Sequence, residues 1–265
     1  MGIIDISPWG LAAAYGLLVV PLAIILWQQL DLLNQTLVAL LRMSVQLVLV
    51  GFYLQVIFDL NNPWLTAAWV LTMIGVADIS IVRGCGMRLA KLGGGLFIAL
   101  LAGTIVPLTV FVGPVLQSGT SLDAQYVVPI CGMILGNCLR ADIVGTRKFY
   151  EAVRDNENSY LLTLSQGASL QEALRPYRRA SCEAALAPTV ASMATIGLVS
   201  LPGMMTGVIL GGANPMTAIK YQIAIMIAIF SGTALTVLLA IHLTIRRNFL
   251  PNGLLDHHLF KNHRP

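Results

Sequence analysis

Charge is nearly absent from long reaches of this chain, and that limits its fold more than any other feature. Seven apolar segments carry no more than two charged residues each: Trp9 to Leu30, Leu37 to Phe58, Trp64 to Val82, Leu92 to Leu116, Tyr126 to Gly145, Ala184 to Gly211 and Tyr221 to Ile245. A helix needs about 20 such residues to cross the hydrocarbon of a bilayer. Over 265 residues only 11% are charged, against about 25% in an ordinary soluble domain. Apolar residues make up 57%, and the mean hydropathy is +0.79. These values exclude a soluble enzyme, a disordered chain and a disulfide scaffold. The expected fold is all-α: a polytopic membrane protein of about seven transmembrane helices. It comprises a membrane domain over 1–248, with a hydrophilic loop at 146–183, and a tail over 249–265. Too little chain remains for a further domain of typical size.

The basic residues orient this bundle. Arg83, Arg88 and Lys91 follow the third segment, and Arg147, Lys148, Arg154, Arg175, Arg178 and Arg179 follow the fifth. Arg246, Arg247, Lys261 and Arg264 follow the last, and Arg42 and Arg140 sit near the same side. Of the 16 Lys and Arg, only Lys220 falls opposite. The positive-inside rule makes the crowded side cytoplasmic, with the N-terminus outside and the C-terminus inside. An odd number of spans requires the same opposition. Trp9, Trp27, Trp64, Tyr126 and Tyr221 fall near span ends, where interfacial aromatics belong. No basic residue precedes the first apolar run, Leu11 to Trp27, so it is expected to be a retained span rather than a cleaved leader. The positive charge therefore reads as topology, not as a nucleic-acid surface.

The 146–183 loop is the one long hydrophilic stretch. Residues 148–165 contain no Gly or Pro, Gly167 offers a left-handed helix stop, and Ser169-Leu170-Gln171-Glu172 is a capping box. The spacing predicts helix, tight Gly167-Ala168-Ser169 corner, helix, with Ala168, Leu170, Ala173 and Leu174 as a small apolar surface. Such an elbow suits insertion into a groove of a cytoplasmic partner. The plainer alternative is a connector that caps the bundle, although connectors are usually about 2 to 8 residues long.

Two segments carry helix-weakening residues. Pro129, Gly132 and Gly136 lie in the fifth, and Pro202 and Gly203 in the sixth. Interrupted helices at membrane depth point to a transport path, and close glycine packing is the competing reading. Polar residues on the spans are Arg42 and Gln46, which share a helix face, with Asp78, Asn137 and Gln222. Arg42 has a second reading as a snorkelling interfacial residue, and Asp78 as an ion-pair partner of Arg83. Met133, Met193, Met204 and Met205 invite a soft-metal reading, but methionine is also an adaptable packing residue.

Cys131 and Cys138 are about 10 Å apart along a helix, too far to chelate one ion. No two of Cys85, Cys131, Cys138 and Cys182 form a CxxC pair. His242, His257, His258 and His263 form no motif. Neither a phosphate loop nor an HExxH motif occurs in the sequence, so ATP hydrolysis is not expected of this chain.

Several of these stretches together resemble the FetB-type permease family of ABC transporters, which includes bacterial iron exporters and plant aluminium-tolerance permeases. The most specific is Leu198 to Gly207, with Leu201-Pro202-Gly203-Met204-Met205, followed by Ala218 to Gln222. Gly132-Met133-Ile134-Leu135-Gly136-Asn137 matches as well, as do Arg42, Gln46, Leu47 and Gly51, Gly167-Ala168-Ser169, and Ala185 to Val190. The resemblance runs from about Leu40 to Arg247.

It implies a permease homodimer paired with two ATP-binding cassette subunits that bind ATP and Mg; this chain itself would hold no cofactor. Gly167, Ala168, Ser169, Leu170 and Glu172 would couple to those subunits. The corner departs from the Glu-Ala-Ala-x-x-x-Gly pattern of importer permeases, because Leu161 stands in the glutamate position. The expected function is export of iron, another metal ion or a metal-linked small molecule across the inner (cytoplasmic) membrane. Arg42, Gln46, Met133, Asn137, Ser200, Met204 and Met205 would line the path. A self-contained channel or ion-coupled carrier using Asp78 or Arg42 is the alternative. An intramembrane enzyme lacks any His, Glu or Asp cluster within one span.

Overall fold

The computed structural model describes residues 7–116, 123–250 and 253–260. The chain forms α1 (Pro8–Gly16), α2 (Val19–Trp27), α3 (Leu33–Leu60), α4 (Pro63–Gly84) and α5 (Leu89–Val110), which runs into a wide π turn, Phe111–Val115. Then come α6 (Ala124–Asp155), α7 (Glu157–Ser165), α8 (Leu170–Thr195), α9 (Gly203–Leu210), α10 (Pro215–Asn248) and a 3-10 turn at His257–Leu259. No strand longer than an isolated bridge occurs among the described residues.

Short polar side chains start the helices of one end of the bundle. Asn62 Oδ1 accepts from Trp64 N at 2.9 Å, Asp123 Oδ1 from Gln125 N at 3.1 Å and Asn214 Oδ1 from Met216 N at 2.8 Å. Pro63 and Pro215 occupy the first turns that follow, where no donor is needed. Asn61 ends α3 in the left-handed conformation, φ 37°, and its Oδ1 accepts from Ala124 N at 3.2 Å. That bond ties the end of α3 to the start of α6.

Among the described residues, six stretches are long and apolar enough to span: 8–27, 33–60, 63–84, 89–115, 124–155 and 215–248. The first combines α1 and α2. The segment Ala184 to Gly211 is not one helix. α8 ends at Thr195, residues 196–202 are non-helical with a Gly197 N to Ser200 O bond of 2.9 Å, and α9 starts after Pro202.

The expected breaks at Pro129, Gly132 and Gly136 are corrected: α6 runs unbroken through all three. Pro129 sits in the second turn of α6, so the helix loses only the bond to Gln125 near its capped end.

α10 packs on α5, α6 and α8, and α4 covers α5 and α6. The closest approach is at Gly103 of α5 and Gly232 of α10. A Cβ built on Gly232 would lie 2.6 Å from the Gly103 carbonyl oxygen. No larger residue fits, and the two backbones meet there as small residues permit in membranes.

α1 to α3 stand apart from this core. α3 buries only Ile57, and Tyr53 meets Trp69 of α4 with ring centroids 4.1 Å apart. Tyr15 and Ser44 share a hydrogen bond that joins α1 to α3.

The tail folds back on the basic end of the bundle over residues 253–260, with Leu255, Leu259 and Phe260 buried. The expected tail residues Lys261, His263 and Arg264, and the side chain of His257, lie outside the described residues.

Candidate coupling corner and membrane pathway

The 146–183 loop is helical almost throughout. α6 extends to Asp155, the chain kinks at Asn156, and α7 runs to Ser165. Gly167 has φ +94°, a conformation that side-chain-bearing residues adopt at a cost. Ser169 then caps α8 reciprocally: its Oγ accepts from Glu172 N at 3.4 Å, and Glu172 Oε2 accepts from Ser169 N at 2.8 Å. Ser169 Oγ also donates to Glu172 Oε2 at 2.6 Å, and this bond, with the one from Ser169 N, holds the exposed Glu172 carboxyl below the usual carboxylate range.

The corner tip is exposed at Leu162, Ser165, Gln166, Gly167 and Ser169, while Ala168 and Leu170 are half-buried. Ala173 and Leu174 do not belong to its surface as expected; at 3% and 2% exposure they anchor α8 in the core.

Behind the tip lies an aromatic cluster. Tyr160 packs against Tyr177 and Phe249 with centroids 6.4 Å and 6.1 Å away, and Phe249 also meets Phe149 and Tyr150. The Tyr160 hydroxyl donates to the Gly253 carbonyl at 2.7 Å. Burial pushes its pKa up to about 12, so it stays a donor at physiological pH.

The expected path residues fall on three helices and the non-helical stretch 196–202. Met133 and Asn137 lie on α6, where Asn137 Nδ2 donates to the Met133 carbonyl at 2.8 Å. Arg42 and Gln46 lie on the exposed side of α3 and make no hydrogen bond or ion pair among the described residues. Ser200 is exposed in the interrupted stretch, and Met204 and Met205 are half-buried on α9. Met133 and Met204 pack against the core.

Sequence reasoning missed the most buried acid. Asp142 of α6 is 0% exposed, and its Oδ2 accepts from Thr236 Oγ1 of α10 at 2.8 Å. Its Oδ1, Asp78 Oδ1, Thr104 Oγ1, Thr146 Oγ1 and Gln222 Oε1 are buried without a partner. Asp78 is buried on α4 and does not pair with Arg83, which is exposed. The signal for Asp142 was an acid inside an apolar segment, which alone does not say whether it faces the core or the interface. No group of three or more His, Cys, Asp or Glu able to hold a metal ion occurs among the described residues.

The model described as "Uncharacterised protein family (UPF0014)" matches residues 8–249. A UPF0014 membrane protein of Synechocystis is 35% identical over 234 residues, covering 88% of this chain and 90% of its own length. "Probable iron export permease protein FetB" of Escherichia coli is 34% identical over 243 residues, 92% of each chain. "Protein ALUMINUM SENSITIVE 3" of Arabidopsis thaliana is 33% identical over 219 residues, 80% of this chain and 77% of the plant protein. No solved structure matches the chain.

Proposed function

Because the chain belongs to the UPF0014 family of membrane proteins, we propose that it is the permease subunit of an ABC transporter exporting iron, another metal ion or a metal-linked small molecule. ATP and Mg bind a separate ATP-binding cassette subunit, whose hydrolysis drives this chain between inward- and outward-open states. The N-terminus lies outside the inner membrane and the coupling corner and C-terminus lie in the cytoplasm, with the interrupted α8–α9 stretch as the seventh crossing.

The observation that carries this reading is the corner itself. It is a capped, exposed helical turn at the basic end of the bundle, on a chain 34% identical to a probable iron export permease. Gly167, Ala168, Ser169, Leu170 and Glu172 form the part a groove would receive.

A second copy of the chain completes the path. Arg42 and Gln46 sit on a helix with almost no cover, and polar groups at membrane depth belong toward protein or a wet cavity. The non-helical stretch 196–202, with Leu198 91% exposed, has the same need, because irregular backbone is not stable against lipid. Two copies facing each other would enclose Arg42, Gln46, Met133, Asn137, Ser200, Met204 and Met205 around a shared axis.

The test is purification from the native membrane followed by reconstitution. A tagged chain should bring down a subunit with a Gly-x-x-x-x-Gly-Lys-Ser/Thr loop, and the pair should move ferrous iron only while hydrolysing ATP. The buried carboxylates Asp78 and Asp142, each with one oxygen that has no hydrogen-bond partner, favour a second reading, an ion-coupled carrier or channel. Iron flux by the chain alone would decide for that reading.

A further inference from the structure

Residues 253–260 have one set of contacts on the coupling elbow and another on the turn between α4 and α5. At the elbow, the Gly253 carbonyl accepts from Tyr160 Oη in a buried bond, and Leu164 of α7 packs beside Gly253: a Cβ there would meet Leu164 Cδ1 at 2.9 Å. In the middle, Asp256 N donates to the Asn248 carbonyl at 2.9 Å, and Leu255 forms an isolated bridge with Phe249. The Arg154 guanidinium of α6 lies 4.6 Å over the Phe260 ring.

At the far end, Phe260 forms an antiparallel bridge with Met87, and Arg88 N donates to the Leu259 carbonyl at 3.0 Å. Lys91 Nζ pairs with Asp256 Oδ2 at 2.6 Å. Met87 and Leu259 are fully buried between the two pieces.

We propose that this C-terminal strap is a mechanical link that delivers movement of the coupling elbow to α4 and α5, with Tyr160, Lys91 and Asp256 as its positioning residues. Without it, α7 rests mainly on α6, α8 and Phe249 at the end of α10, so movement of the corner would reach α4 and α5 through those helices. With it, the turn at Met87 and Arg88 moves with the elbow. That turn joins the helix bearing Asp78 to the helix bearing Gly103 and Thr104, which approaches α10 most closely. Coupling of this kind needs a contiguous chain of packed and hydrogen-bonded groups, which the strap supplies. The link rests on the transporter reading for its purpose, but not for its existence.

The experiment separates the two. Hydrogen exchange is followed on the purified full chain in Lys91→Asp and in the exchanged pair Lys91→Asp with Asp256→Lys. Lys91→Asp is expected to speed exchange about tenfold in residues 84–91, and also in 157–166 at the distant elbow. The exchanged pair should restore both. Acceleration confined to 84–91, or none in either segment, overturns the link. Should Lys91→Asp fail to give a monodisperse protein, Asp256→Asn removes the charge alone and gives the same readout.

In vesicles with the ATP-binding cassette subunit, Lys91→Asp should lower ferrous iron moved per ATP by about threefold or more, with subunit binding and hydrolysis retained. Unchanged stoichiometry in a variant whose elbow has loosened also overturns the proposal. Failure of the chain to bind any such subunit would remove the transporter reading and leave the exchange result standing.

Discussion

Asp142 of α6 and Thr236 of α10 are joined by a 2.8 Å hydrogen bond with both side chains fully buried. The pair holds together the two longest helices of the bundle, and one carboxylate oxygen is left without a donor. Thr236→Val keeps the shape and removes the donor, so it should cost about 1–3 kcal/mol. In a double-mutant cycle with Asp142→Asn, unfolding in mixed micelles should show a coupling of about 0.5 kcal/mol or more. Additive single effects would show that the bond contributes nothing. In reconstituted vesicles, unchanged iron transport by Asp142→Asn would confine this acid to packing.

The glycines divide sharply. Gly103 and Gly232 face each other's backbone, whereas a Cβ at Gly136 meets nothing within 4 Å and one at Gly132 meets only Met73 Cε at 3.4 Å. Gly232→Ala should destabilise by about 1–3 kcal/mol or prevent a monodisperse preparation. Gly136→Ala should be neutral or stabilise by up to about 1 kcal/mol, because α6 is continuous there. Thermal melts of the two variants check this, and equal behaviour would contradict the crossing described.

Gly167 tests the corner. Its φ of +94° penalises any side chain, yet a Cβ there would meet no atom within 4 Å. Gly167→Val should therefore cost about 1–2 kcal/mol of local strain and leave the bundle folded. Stimulation of the ATPase by the assembled transporter should fall or disappear. A variant with normal stimulation and transport would take the corner out of the mechanism.

The strap has a pH signature. The hydrogen bond from Lys91 holds the Asp256 carboxyl below its usual value. A carboxylate with a lowered folded pKa adds stability that is complete above its unfolded value of about 3.9 and fades as pH falls through the folded one. The Tm difference between the protein and Asp256→Asn should be constant from about pH 5 to 8 and close below about pH 4. A difference that widened on acidification would contradict the Lys91 pairing.

Much of this was legible in the residue order, for physical reasons. Six of the seven expected spans follow from hydropathy, since lipid imposes one length on every crossing, whereas Ala184 to Gly211 is apolar enough but interrupted. The Ser169 and Glu172 caps and the Gly167 turn are local, so six consecutive residues were enough to find them. Pro129 misled because a proline's effect depends on its distance from the helix start, which the apolar run alone did not reveal. Asp142 was missed because only its contact with Thr236, 94 positions later, shows that the acid faces inward. The strap was invisible for the same reason, since Lys91 and Asp256 are 165 positions apart. The path residues of α3 could be placed on one helix face, but a helix face alone does not say what lies opposite.

The 32-residue continuity of α6 has one more consequence. At 1.5 Å per residue it is a rod of about 48 Å, longer than the hydrocarbon slab by more than half. Pivoted at its Asp123-capped end, such a lever arm turns a tilt of about five degrees into a displacement of about 4 Å at Asp155. Reversed, a push of a few ångströms at the base becomes a slight rotation of every side chain along its length. An unbroken rod of this kind exchanges force for distance, and any gate set along it opens in proportion to its height.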